Sequence, residues 1–96
     1  MPTLICKRVT FYSPGDEFAF FEFARRIKGV REIEGVGDEI HIHVSARLSD
    51  TSLRDILGLF QRYKIEMRQL SQFETVKNRE WFRDERKFWF KKIYGG

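Results

Sequence analysis

The segment Glu39–Ser45, EIHIHVS, constrains the fold of this chain most strongly. Ile40, Ile42 and Val44 alternate with His41, His43 and Ser45. A repeat of two is that of an extended strand with one buried face. The aliphatic residues therefore define the core side, and the two histidines fall on the opposite side. Upstream, residues 30–34 form a second extended run. The intervening GVGD at 35–38 is a four-residue connection with two glycines, which predicts a hairpin.

The flanking segments extend this hairpin into a full domain. LICKRVTFY at 4–12 is rich in β-branched and aromatic residues and ends at a Ser-Pro-Gly turn signal, so it predicts a first strand. Ser13 is a suitable N-cap, Pro14 fits the first helical position, and Asp16 and Glu17 lie where the helix dipole favours anions. Arg25, Arg26, Lys28 and then Gly29 mark the other end, giving a helix over 14–28 whose inner stripe is Phe20, Ala24 and Ile27, bordered by Phe21 and Phe23. After the hairpin, Ser49, Asp50 and Ser52 offer N-caps to a second helix. Its Leu53, Ile56, Leu57 and Phe60 follow the amphipathic spacing i, i+3, i+4, i+7. IEMRQLSQF at 65–73 predicts a fourth strand.

The order β-α-β-β-α-β is the ferredoxin-like, split βαβ arrangement of the α+β class. Right-handed crossovers place both helices on one face of a four-stranded antiparallel sheet in the order 4-1-3-2. The other face is left uncovered. Residues 78–94 (NREWFRDERKFWFKKIY) predict a C-terminal helix with Phe82, Trp89 and Ile93 at helical spacing, widened by Trp81, Phe88 and Phe90. So much aromatic surface does not remain in water. It is expected to close over its own sheet or to mediate association. The whole chain, 1–96, is expected to be one domain: a βαββαβ core over 1–74 and a basic, aromatic helix over 75–96.

Charge is placed unevenly. Residues 1–74 hold 11 basic and 11 acidic side chains, so the net charge of +4 resides entirely in the tail. A single cysteine, Cys6, excludes a disulfide framework and a cysteine-rich zinc site. No apolar run approaches 18 residues and no secretory h-region opens the chain. The expected setting is cytoplasmic, without membrane contact.

Four kinds of chemistry deserve comparison. On a strand, His41 and His43 project to one side about 7 Å apart, close enough to share a metal. If Glu34 pairs with Glu39, Glu32 lies opposite His41, and Cys6 on the neighbouring strand completes a set of His41, His43, Glu32 and Cys6. The plainer reading is a polar sheet face, and no metal or other cofactor is expected. Nucleic acid is the second kind. The uncovered face is expected to carry Arg8, Thr10 and Tyr12 beside His41 and His43, with Lys91 and Lys92 in the basic tail, whereas the aromatic signature of RNA-recognition sheets is absent. Third, FYSPGDEFAFFEFARRIKGV, followed by a hairpin, an amphipathic helix and YKIEMRQL, resembles the layout of ACT-type regulatory domains over residues 5–73. Pro14-Gly15 matches that family's turn. Tyr12 stands where the family has an acidic residue, and the apolar residue after the turn is displaced to Phe18. The resemblance implies paired domains with a small molecule bound near Ser13, Pro14, Gly15 and Asp16; capping of the first helix explains the same residues. Last, catalytic motifs are absent: no phosphate loop, nucleophile elbow or HExxH occurs, and a Cys6–histidine pair lacks a third orienting group.

The sequence thus predicts a non-catalytic interaction or regulatory module. It is expected to form a homodimer or bind a protein partner through the sheet face or through Trp81, Phe82, Phe88, Trp89 and Ile93. Binding of RNA or single-stranded DNA is the alternative.

Overall fold

A computed structural model describes residues 1–95; Gly96, the last position of the predicted tail, lies outside the described residues. Its elements are β1 (Thr3–Lys7), α1 (Pro14–Arg26), β2 (Val30–Val36), β3 (Glu39–Val44), α2 (Asp50–Tyr63), a 3-10 helix (Arg68–Phe73), α3 (Arg79–Phe82) and α4 (Phe90–Tyr94). The sheet is antiparallel and three-stranded in the order β1-β3-β2. This corrects the four-stranded ferredoxin-like arrangement. The predicted fourth strand is a 3-10 helix, and the predicted C-terminal helix is two short ones.

The core forms where the pattern places it. Leu4, Cys6, Ile42 and Val44 line one face of the sheet and pack with Phe20 and Ala24 of α1 and with Leu53, Ile56, Leu57 and Phe60 of α2. Burying each large side chain contributes about 1.5–3 kcal/mol. Ser13 caps α1 by accepting from the Asp16 N–H at 3.1 Å, and Ser49 caps α2 by accepting from the Ser52 N–H at 3.1 Å. Val30 and Ile33, three residues apart, both face the core because a bulge between Val30 and Glu32 absorbs the extra residue.

Local backbone geometry accounts for the remaining shifts in strand boundaries. Gly37, at φ 64°, supports a two-residue turn, so the hairpin closes at Val36–Glu39 instead of after Glu34. β1 ends at Lys7 because Arg8 adopts φ 54° and turns the chain out of the sheet. Val9 and Phe11 then pack on the core from a loop, with the Phe11 ring edge-on to Phe20 at 5.4 Å and to Tyr63 at 5.9 Å.

From residue 65 onward the repeat changes. Met67, Leu70 and Phe73 are buried at intervals of three, the period of a 3-10 helix, where side chains at i and i+3 eclipse. A strand would have buried alternate residues. The tail breaks between α3 and α4 because the Asp84 side chain accepts from the Arg86 backbone N–H at 3.0 Å, offering the chain a turn in place of a helical bond. Phe82, Trp89 and Ile93 are nevertheless buried. The Trp89 indole N–H donates to the Phe82 carbonyl at 2.7 Å and ties the two short helices together. Arg54 of α2 lies over the Trp81 ring at 4.4 Å, and Lys92 bonds Gln61 of α2. The tail therefore docks against α2 and the 3-10 helix and does not close over the sheet.

Candidate functional site

The exposed sheet face carries three cross-strand rows. Thr3, His43 and Glu32 form one; Ile5, His41 and Glu34 the next; Lys7, Glu39 and Val36 the third. Glu34, not Glu32, is thus the partner of His41, a shift that follows from the tighter hairpin. Cys6 lies on the opposite face, fully buried, and burial pushes its thiol up to about 12. The set His41, His43, Glu32 and Cys6 is not assembled, and neither is a thiol–imidazole pair. His43 instead bonds the Thr3 hydroxyl through Nδ1 at 2.8 Å and has Nε2 3.6 Å from Glu34, while His41 bonds Glu39 at 2.9 Å. Donor atoms of Glu32, Glu34 and His43 lie within 4.8 Å of one another on an exposed part of the face. Three carboxylates on one sheet face repel phosphates.

The remaining sequence-predicted residues are dispersed. Arg8 and Tyr12 sit in the loop after β1, with Tyr12 88% exposed, and do not share the sheet face with the histidines. At the Pro14-Gly15 turn, Asp16 is held by its own chain: its carboxylate accepts from the Tyr12 N–H at 3.1 Å and from the Tyr63 hydroxyl at 3.1 Å. These bonds fix the start of α1 against the end of α2. Of the aromatic residues expected to mediate association, Phe82, Trp89 and Ile93 are core, Trp81 is half-buried, and only Phe88 is largely exposed.

Lys91 and Lys92 lead to a different surface. An open groove of about 790 Å³ runs beside β1, between the segment 64–69 and α4. It is lined by Ile5 and by the largely buried Phe60, Ile65 and Met67, and it carries Lys7, Lys64, Arg68, Lys91 and Lys92 against the single carboxylate Glu66. Glu66 turns back to Arg68, accepting from its backbone N–H at 3.0 Å. Among the described residues none of the four lysines has a carboxylate within ion-pair reach. The groove lies on the free side of β1, the position a fourth strand would take.

Gln69 crosses that gap. Its side-chain oxygen accepts from the Ile5 N–H at 2.8 Å, and its amide nitrogen donates to the Ile5 carbonyl at 2.9 Å and to the Glu66 carbonyl at 2.8 Å. Lys64, the C-cap of α2, adopts a left-handed φ of 58° that redirects the chain into the groove wall. Lys7, Lys64, Arg68 and Gln69 carry no local motif, because the groove arises where segments 64 residues apart meet. The clustering of positive charge in the tail was the one available sign of it.

No protein-family model matches this chain, and neither a curated protein nor a solved structure does. Among the described residues no helix is long and apolar enough to cross a membrane.

Proposed function

We propose that this domain is a non-catalytic interaction module that recruits an acidic partner protein into the groove beside β1. One observation carries the reading: five cations line a groove that holds one carboxylate. Such a cleft concentrates oppositely charged ligands and speeds their encounter. Self-association through the aromatic tail fits less well, since Phe82, Trp89 and Ile93 are buried in the domain's own core and Phe88 is the largely exposed one of the set. Nucleic acid is less well matched. Phe60, the one aromatic residue lining the groove, is fully buried, so the groove itself offers no exposed ring for base stacking, and the neighbouring sheet face carries Glu32, Glu34 and Glu39.

The reading is tested by titrating the chain with a short poly-glutamate peptide at two salt concentrations. Binding is expected to weaken about tenfold when ionic strength rises from roughly 0.05 to 0.3 M, because exposed charges are screened beyond a Debye length. Reversing Lys91 and Lys92 to glutamate is expected to abolish it. Affinity indifferent to both salt and charge reversal removes the groove from the account.

A further inference from the structure

β1 is an edge strand, paired by β3 on one side and bordered by the groove on the other. Along an antiparallel strand, backbone groups point alternately to one neighbour and to the other. Ile5 points outward, since Gln69 reaches both its N–H and its carbonyl. The repeat of two gives Thr3 and Lys7 the same outward direction, and among the described residues no side chain bonds their backbone groups. A carboxamide presents an acceptor and donors in one plane, as a peptide unit does. Gln69 therefore makes with Ile5 the two bonds that one residue of an antiparallel fourth strand would make.

Resting on the groove reading above, we infer that β1 is a strand acceptor: an extended acidic segment of a partner protein adds along Thr3–Lys7 as the fourth strand and displaces the Gln69 carboxamide. The five residues of β1 offer a ladder of about 17 Å at the usual rise per residue. Main-chain bonds to Thr3, Ile5 and Lys7 supply register, and alternate side chains of the added strand supply selectivity. An apolar side chain of the added strand meets Ile5, which is 36% exposed, while carboxylates meet Lys64, Arg68, Lys91 and Lys92. A nucleic-acid strand has no alternating N–H and carbonyl groups with which to use this edge. Gln69 also has a second consequence. By satisfying the middle of the edge it blunts β1 against indiscriminate pairing, a recurrent hazard of exposed strands.

The test is a titration of the isotopically labelled full chain with a capped eight-residue peptide alternating glutamate and valine. Backbone N-methylation of alternate peptide residues provides a control ligand, and oligothymidylate a competitor. Amide exchange at Thr3 and Lys7 is expected to slow about tenfold or more on binding, the N-methylated peptide to bind about tenfold more weakly, and Gln69→Ala to bind the parent peptide severalfold more tightly. Peptide binding that shifts Lys91 and Lys92 but leaves Thr3 and Lys7 exchange unchanged, with the N-methylated peptide equally tight, overturns strand addition and leaves the groove standing. Absence of peptide binding at low salt overturns both. Tighter binding of oligothymidylate than of the peptide overturns the choice of a protein partner.

Discussion

The two halves of this domain reach the same degree of burial by different means. Residues 3–63 are built from repeats: period two in β1 and β3, and amphipathic stripes in α1 and α2. Residues 64–95 bury Met67, Leu70, Phe73, Phe82, Trp89 and Ile93 from a 3-10 helix and two short α-helices joined by turns, and hold them through individual side-chain-to-backbone bonds. Asn78 is typical. Itself buried, it donates to the Phe73 carbonyl at 2.9 Å and accepts from the Thr75 N–H at 2.7 Å, while the Thr75 hydroxyl accepts from its N–H at 3.1 Å. Repeating patterns distribute stability over many equivalent residues. Single anchors concentrate it.

The largest expected effect tests whether the irregular half belongs to the same cooperative unit. Trp89→Ala removes a buried ring and its bond to the Phe82 carbonyl, so it is expected to cost about 3–5 kcal/mol in chemical denaturation while leaving any oligomeric state unchanged. A transition that splits in two, with α1 and α2 unaffected, breaks the comparison. Asn78→Ala is next, at about 1–3 kcal/mol, because it leaves the Phe73 carbonyl and the Thr75 N–H without partners. In the regular half the opposite change is expected. A Cβ at Gly58, within α2, meets nothing within 4 Å, so Gly58→Ala is expected to stabilise by about 0.5–1 kcal/mol.

The smallest effect concerns acid. The Tyr94 hydroxyl, followed by the Arg79 guanidinium, holds the Glu74 carboxyl below its ordinary range. Hydrogen bonds from Arg86 bring Asp84 down to about 2. A carboxyl depressed by folding stabilises above its unfolded pKa, near 4, and loses that contribution as the pH falls through its folded value. Both groups lie in the irregular half. Melting temperature is therefore expected to fall between about pH 4 and pH 2, with tail signals perturbed first, and Glu74→Gln is expected to flatten part of the fall. A pH profile unchanged in Glu74→Gln removes that group from acid stability.

The same division explains how much was readable in the sequence. Ile40, Ile42 and Val44, or Leu53, Ile56, Leu57 and Phe60, declare their faces through spacing alone, and the structure buries or half-buries each accordingly. The hairpin register slipped by two residues because Gly37 permits a tighter turn than its count of neighbours implied. For IEMRQLSQF, the first three residues alternate as a strand would, whereas Met67, Leu70 and Phe73 carry the interval of three that prevails. The tail's helical spacing identified its buried residues but not the Asp84 turn that breaks it. The groove was least accessible, since it depends on Gln69 meeting Ile5 and on charges brought together from β1, the end of α2 and α4. The histidines of the most legible strand have as partners Thr3, Glu34 and Glu39 on the same face.

A side chain, not a strand, completes the edge of β1. Hydrogen exchange of the unliganded chain measured residue by residue, in the parent and in Gln69→Ala, tests it most directly. The expected result is a protected Ile5 amide that exchanges about tenfold faster or more in the variant, with Leu4 and Cys6 unchanged and no alternating protection over 65–73. Alternating protection across 65–73, with Ile5 indifferent to the loss of Gln69, would instead reveal a fourth strand and contradict the account.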